Sequence, residues 1–287
     1  MNIVYLKGQF MPSQEAMISP FDRGFLFGDS VYEVVPYFRG IGFRLQEHIT
    51  RLEHSLRAVR IQAHTDWAAV MDELVARNGG GNLSVYLQVT RGDSGSRSHS
   101  YDASLTPTVF ACCAPVRDFA AVSAEEVQEL SAIVTADLRW HRCDIKSTGL
   151  LPNILVLQQA RDHQADEALL LRDGVLTEGT SCNLFVVRQG VIYTPKRSSE
   201  ILGGITRELV LGLADVNGMQ YQEVDIDYDT LMNADEVWIS SSTRGVLPVT
   251  RVDDRLIGDG KKGPVWARMF ELLARYQHQL MTGESEL

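Results

Sequence analysis

Residues 167–194 read EALLLRDGVLTEGTSCNLFVVRQGVIYT, and this stretch decides the fold class. Its apolar runs are interrupted by RDGVL and RQGVI, in which Asp173-Gly174 and Gln189-Gly190 stand between strand-like segments. Such glycine-bearing pairs are hairpin turns. Consecutive hairpins break strict strand-helix-strand alternation, so a doubly wound parallel sheet is disfavoured. An α+β protein with mixed or antiparallel sheets is expected.

Working outward, a strand is expected at 129–137, a helix at 150–164, a helix at 205–216, a strand at EVWIS (236–240) and a last helix from Pro264. Nearer the N-terminus, NIVYL and GQFM read as strands about a Gly turn, and SVYEVVPYFRGIGFRL (30–45) as a hairpin joined at Arg39-Gly40. Ile49, Leu52, Leu56 and Val59 recur at helical spacing, and 66–77 repeats the pattern before the helix-stopping NGGGN. Strands follow at LSVYLQVTR and TPTVFACCA. PVRDFAAVSAEE (115–126) then combines proline, small residues and a fresh helix start, which places a domain boundary there. A chain of 287 residues exceeds the size at which single cores stop growing. The expected organisation is a small domain at 1–118, a linker at 119–124 and a larger domain at 125–287.

The formal charge is −10 and no basic stripe interrupts it, which argues against nucleic acid. No run approaches the length of a membrane span, and the N-terminus lacks signal-peptide architecture, so a soluble, cytoplasmic protein is expected. Cys112, Cys113, Cys143 and Cys182 show no metal spacing and are expected to be reduced and buried, with no metal site. Disorder is expected only in the final MTGESEL.

Lysine is scarce: Lys7, Lys146, Lys196, Lys261 and Lys262 are the five, leaving 22 arginines among 27 basic residues. The other four have solvent-facing explanations, whereas Lys146 lies between a strand and a helix in DLRWHRCDIKSTGLLPN, where a loop can present a reactive amine. An ordinary surface lysine paired with Asp144 is the simpler alternative. In LTEGTSCNLFVV, Glu178 could pair with a cationic ring nitrogen, or merely cap loop amides. In LGGITRELVLGL, Ile205 and Thr206 open a helix and offer amides and a hydroxyl to an anion, although Gly-Gly is also simply a good turn. Arg51 could add a cation, and ISSSTRG (239–245) hydroxyls and turn amides; both could equally be solvated surface. Arg97 and His99 share one side of an extended segment and suit a carboxylate, unless RGDSGSRSHS is only a mobile loop.

Together these windows supply a Schiff-base lysine, a ring-nitrogen carboxylate and a phosphate cup, the requirements of pyridoxal 5′-phosphate. The chain also resembles the fold-type IV pyridoxal-phosphate enzymes, and within them the D-amino acid aminotransferases. The resemblance is carried by FDRGFLFGDSVYEVV (21–35), EHITRL (47–52), YLQVTRG (86–92) with Arg97-x-His99, DLRWHRCDIKS (137–147), LTEGTSCN (176–183) and GGITRELV (203–210). It implies that Lys146 holds the cofactor and moves the substrate proton, and that Glu178 pairs with the pyridine nitrogen. Arg51, Ile205, Thr206 and Ser242 would bind the phosphate. Tyr32, Arg97 and His99 would trap the substrate α-carboxylate, the last two from the neighbouring subunit of a homodimer. It further implies a small α+β N-terminal domain, a larger pseudo-barrel C-terminal domain and a D-amino acid:2-oxo acid aminotransferase. The branched-chain L-amino acid relatives use a Gly-Thr-Ala turn where this chain has Ser241-Ser242-Thr243. Those enzymes, a 4-amino-4-deoxychorismate lyase of the same fold and a catalytically silent cofactor-binding protein are the alternatives. The chain departs from the family pattern in a 91–97 loop one residue longer, in HSYD at 99–102 and in Ser30.

Overall fold

A computed structural model describes residues 2–283. The chain divides into two compact units, Met1–Asp118 with Ile145–Gly149, and Phe119–Asp144 with Leu150–Leu287. The division falls after Asp118, and Ile145–Gly149 groups with the first unit. Its physical reason is local pairing: the Lys146 carbonyl accepts the Tyr32 amide at 2.9 Å, Ser147 bridges Val31, and Ile145 is buried in the first unit's core. The expected linker is not loose either. Phe119 is buried, and its ring packs where a side chain at Gly245 would otherwise sit.

In the first unit the elements are β1 (Ile3–Leu6), β2 (Gln9–Pro12), α1 (Arg23–Phe27), β3 (Ser30–Phe38), β4 (Ile41–Gly42), α2 (Leu45–Ala58), α3 (Trp67–Arg77), β5 (Leu83–Thr90) and β6 (Thr108–Pro115). Among the described residues they form one antiparallel six-stranded sheet in the order β2-β1-β6-β5-β3-β4. Alternation along β3 puts Val31, Glu33, Val35 and Tyr37 on one face, which α2 covers with Ile49, Leu52 and Leu56 and α3 extends with Trp67, Met71 and Leu74. One member of that face is a carboxylate, and its partners matter below.

The second unit contains β7 (Leu130–Ala136), α4 (Leu151–Asp162), β8 (Glu167–Arg172), β9 (Val175–Gly179), β10 (Asn183–Arg188), β11 (Val191–Pro195), α5 (Ile205–Val216), β12 (Tyr221–Val224), α6 (Tyr228–Met232), β13 (Glu236–Ser241), β14 (Gly245–Val252), β15 (Arg255–Leu256) and α7 (Pro264–Thr282). Among the described residues the sheet runs β12-β11-β10-β13-β14-β7-β8-β9, with β15 beside β14. It is mixed: β7 lies parallel to both β14 and β8, and β12 parallel to β11, while the remaining pairs are antiparallel. The α+β class is therefore observed. Both hairpins of the opening stretch form, with Arg172 opposite Val175 and Arg188 opposite Val191.

Of the four cysteines, all free, Cys143 and Cys182 are buried, but Cys112 and Cys113 are only half-buried on β6. That corrects the expectation of four buried thiols: consecutive on β6, the two point to opposite faces, Cys113 at the margin of the helix-covered core and Cys112 on the other side. No helix among the described residues is long and apolar enough to cross a membrane, and no cluster of His, Cys, Asp and Glu there could hold a metal ion. Of the expected disordered tail, Met281 and Thr282 complete α7, and Glu284–Leu287 lie outside the described residues.

The turn chemistry is testable. Asp173 and Gly174 have φ of 50° and 81°, and Gln189 and Gly190 of 52° and 78°, so each glycine holds the second left-handed position of its turn. Replacing both Gly174 and Gly190 by alanine is expected to lower the unfolding free energy by about 2–4 kcal/mol, because each Cβ costs about 1–2 kcal/mol in that conformation. Urea denaturation measures it; an unchanged midpoint would show that the turns relax at no cost.

Candidate active site

The first unit places one group of candidates around β3. Lys146 is half-buried, with its Nζ 4.5 Å from the centre of the Tyr32 ring, and its amide donates to Ser55 Oγ on α2 at 3.2 Å. On the opposite face of β3, the Glu33 carboxylate takes Arg51 Nε at 2.7 Å and Arg51 Nη2 at 2.9 Å, a two-pronged clamp. His48 Nδ1, one helical turn before Arg51, lies 2.8 Å from the second Glu33 oxygen. Burial alone would raise the Glu33 pKa, but Arg51 and His48 outweigh it and hold the carboxylate well below the usual range. His48 is shifted the other way. Burial lowers its pKa against the pull of Glu33, with the Arg51 and Lys146 charges adding to the fall, so the ring is neutral and donates through Nδ1. Its buried Nε2 has no hydrogen-bond partner among the described residues.

Arg97 and His99 are brought together on α1. The Arg97 guanidinium lies 5.3 Å from the Phe27 ring centre, and the His99 ring meets the same Phe27 edge-on at 5.4 Å. Both residues are exposed.

The second unit gathers the remaining candidates at one end of its sheet. Glu178 lies near the end of β9 and is 5% exposed. Its carboxylate accepts Arg139 Nη1, Asn183 Nδ2 at 3.1 Å and the Leu202 amide at 3.2 Å. Asn183 also donates to the Leu202 carbonyl at 3.0 Å, and a Cβ on Gly204 would overlap the Asn183 side-chain oxygen. The close approach of Gly204 therefore seats the start of α5 against the Asn183 side chain that holds Glu178. Gly204 is the N-cap and no side chain caps the helix, leaving the Ile205 and Thr206 end with the unsatisfied donors and positive pole of a helix N-terminus. Thr206 is 3% exposed. Ser242 lies in the turn between β13 and β14, two residues beyond Ser240, which pairs with Asn183.

Three basic residues near Lys146 in the chain now have explanations. Arg139 links Glu178 to Asp137, donating to it at 2.8 and 2.9 Å. Arg172 reaches Asp137 and Glu200, both at 3.1 Å, and His141 Nδ1 lies 2.8 Å from Glu200. Arg142 takes Asp144, the acid expected beside Lys146, at 2.9 Å through two nitrogens. With Asp137, Glu178 and Glu200 facing Arg139 and Arg172, this cluster holds three carboxylates against two guanidiniums. Burial raises the Glu178 pKa, and Arg139 pulls against it without reversing it. One further cation is what this carboxylate lacks, and a protonated pyridine nitrogen is such a cation. The uncapped α5 terminus fits a phosphate in the same way. The donor set therefore fits pyridoxal 5′-phosphate.

Sequence reasoning missed the residues that hold these side chains: Glu33 and His48 for Arg51, and Arg139 and Asn183 for Glu178. A signal existed for two of them. Glu33 occupies a core-facing position of an otherwise apolar strand, and His48 stands three residues before Arg51 on α2.

The comparisons with known proteins give the class. The family model described as amino-transferase class IV matches residues 30–252, and the chain belongs to that family. It is 44% identical over 265 residues to a D-alanine aminotransferase of Bacillus licheniformis, covering 91% of this chain and 92% of the relative. A D-alanine aminotransferase of Listeria innocua serovar 6a is 36% identical over 269 residues, covering 93% of each. Among solved structures, a T.th. branched-chain amino acid aminotransferase complexed with N-(5′-phosphopyridoxyl)-L-glutamate matches with a TM-score of 0.87 at 27% identity, covering 99% of this chain and 95% of that one.

The buried clamp at Glu33 gives a prediction with a sign. A carboxylate whose pKa is depressed on folding contributes stability above its unfolded pKa and loses it as pH falls. Glu33→Gln is expected to cost about 3 kcal/mol at neutral pH, the cost of breaking a buried ion pair. The gap from wild type should narrow as pH drops below the ordinary glutamate value of 4.5. Urea titrations at two pH values check it; a gap that widens in acid would contradict the assignment.

Proposed function

We propose that this chain is a D-amino acid:2-oxo acid aminotransferase in which Lys146 carries pyridoxal 5′-phosphate as a Schiff base, of the type that converts D-alanine and 2-oxoglutarate to pyruvate and D-glutamate. The observation that carries the reading is its 44% identity, over nine-tenths of both chains, to a D-alanine aminotransferase. The geometry supports it residue by residue.

When bound, the cofactor supplies an aldehyde carbon that captures amines and a ring that withdraws the electron pair left when a Cα proton departs. Lys146 Nζ would hold the cofactor through that carbon and, as a free amine, would move the substrate Cα proton. Only an amine can do both, because a guanidinium does not give up its proton. Glu178 would pair with the ring nitrogen and hold its proton, a role supported by a carboxylate whose pKa burial raises and whose one arginine is shared with Asp137. Arg51, the Ile205 and Thr206 amides, the Thr206 hydroxyl and Ser242 bind the phosphate. Tyr32 is the near wall on which the Lys146 amine rests, and with Arg97 and His99 it takes the substrate α-carboxylate.

The enzyme works as a homodimer in which Arg97 and His99 serve the neighbouring subunit. Their exposure supports this, as does the face of α4 that leaves Leu151, Ile154 and Leu155 more than half exposed, a surface suited to a second copy. A cytoplasmic setting is supported by four free cysteines and the absence of any disulfide among the described residues.

Two measurements test the chemistry. Lys146→Ala should abolish the visible absorbance of the bound cofactor and lower turnover by roughly a thousandfold or more, the scale of losing a nucleophile that is also the proton carrier. Glu178→Gln should retain cofactor yet slow turnover by about a hundredfold or more, since a neutral pyridine withdraws electrons poorly. An unchanged rate in either variant removes that residue from the site.

Substrate handedness is read from half-reactions with D-alanine, L-leucine and aminodeoxychorismate, in which only the true substrate rapidly changes the cofactor spectrum. D-alanine is expected to react and L-leucine not to. Arg97→Ala should raise KM for the amino acid about tenfold or more while leaving cofactor retention intact. Equal losses in both would make Arg97 structural.

A further inference from the structure

The loop that presents Arg97 and His99 makes no helix or strand between Ser94 and Pro107, yet it is held at defined points. Its base is stitched to α1. The Arg23 amide donates to the Gly92 carbonyl at 2.9 Å, and the Asp22 side chain caps Gly24 at 2.8 Å while accepting Thr90 Oγ1 at 3.1 Å. The tip is held by one side chain. Arg23 Nη1 donates to the Ser98 carbonyl at 2.6 Å and the Ser100 carbonyl at 3.4 Å, and Nη2 donates to the His99 carbonyl at 3.1 Å.

Arg23 can do this because it is itself immobilised. Its Nε donates to Asp29 Oδ2 at 2.8 Å, and its side chain is 5% exposed. Arg91 takes the same carboxylate through Nε and Nη2 at 2.8 and 2.9 Å and anchors on the Val59 and Arg60 carbonyls at 2.8 and 3.1 Å. Burial works against the Asp29 charge, but the two guanidiniums prevail and lower its pKa, so the anchor stays ionised. Tyr101 closes the assembly with its ring 3.8 Å from the Arg91 guanidinium and 5.6 Å from that of Arg23. Phe27, one turn along α1, is the surface on which Arg97 and His99 both rest, and Arg23 lies 4.9 Å from it.

All three loop contacts of Arg23 go to backbone carbonyls, so the clasp fixes where residues 98–100 run without regard to their side chains. Arg97 has no carboxylate partner among the described residues, and its charge rests against the Phe27 ring. We propose that Arg23 is the positioning residue that sets the Arg97 and His99 donors for a substrate carboxylate, so that carboxylate affinity is controlled from α1. This rests on the reading of Arg97 and His99 as the carboxylate donors.

Lysine at position 23 keeps a charge for Asp29 but lacks the fork that spans three carbonyls. Arg23→Lys holoenzyme is expected to show KM for D-alanine raised about tenfold, kcat changed less than about threefold and the cofactor absorbance retained. Trypsin should cut it after Arg97 about tenfold faster, because a protease needs the Arg97-Ser98 segment extended and Arg23 holds the carbonyls immediately after that bond. In a background lacking both donors, Arg97→Ala with His99→Ala, the KM effect of Arg23→Lys should vanish, as it must if Arg23 acts through them.

The outcomes separate the two ideas. If Arg97→Ala alone leaves KM unchanged, the carboxylate reading fails; if Arg97→Ala raises KM but Arg23→Lys does not, the clasp proposal is overturned. Faster cleavage at unchanged KM also overturns it, leaving Arg23 a brace for the loop alone. Should Arg23→Lys not fold, Tyr101→Ala on the exposed side of the clasp must accelerate cleavage after Arg97 and raise KM in the same sense, or the proposal falls.

Discussion

A buried carboxylate must be paired, and in this protein the partner is repeatedly an arginine that also has work to do. Glu33 clamps Arg51, Glu178 takes Arg139, and Asp29 holds Arg23 and Arg91 together. In each case the acid sits in or beside a strand where water solvates it poorly, and an uncompensated charge there would cost several kcal/mol. Arg51 on Glu33, Arg91 on Asp29 and Arg139 on Asp137 each use two nitrogens, which fixes direction as well as charge, while Arg23 meets Asp29 and Arg139 meets Glu178 through one. The arginine thereby becomes a rigid strut: Arg51 beside the Lys146 neighbourhood, Arg139 behind Glu178, Arg23 under the loop of Arg97 and His99.

The imbalance between 22 arginines and five lysines follows from this use. Lys7, Lys196 and Lys261 are exposed. Lys262 is the instructive exception, because its Nζ donates to the carbonyls of Ala124, Glu125 and Val127 and ties that segment to the chain ahead of α7. It binds as a point charge with three donors, a task without bidentate geometry. Lys146 differs from both groups: it is half-buried beside an aromatic ring, in a segment whose core contact is made by Ile145. Struts are made from the base that never loses its proton, and the half-buried position beside Tyr32 from the one that can.

Much of this was legible beforehand, for reasons that are local. Asp173-Gly174 and Gln189-Gly190 announce their hairpins because the turn depends on two residues alone, and α2 is readable from Ile49, Leu52 and Leu56 because burial on one helix face repeats at short spacing. Lys146, Glu178 and the start of α5 stood out as residue types that chemistry needs at element ends. What stayed hidden depends on distant parts of the chain. No window reveals that β7 runs parallel to β14, that Ile145–Gly149 joins the first unit, or that Phe119 packs against Gly245. Arg23 was read only as part of a motif, since its three acceptors lie 75 to 77 residues away.

Glu33 and Glu178 show how one residue type, equally buried, is given opposite electrostatic character. Glu33 receives a two-pronged arginine and a histidine donor, so attraction exceeds the cost of burial and its pKa falls. Glu178 shares its arginine with Asp137, and its other donors, Asn183 and the Leu202 amide, are neutral; burial prevails and its pKa rises. The first is a permanent anion, committed to holding Arg51. The second is an anion short of a cation, and it gains most from a partner that brings a positive charge to its oxygens. The contrast comes from the partners alone: the same side chain at the same depth becomes a settled anion or a carboxylate with a raised pKa according to how many cations it is given and whether they are shared.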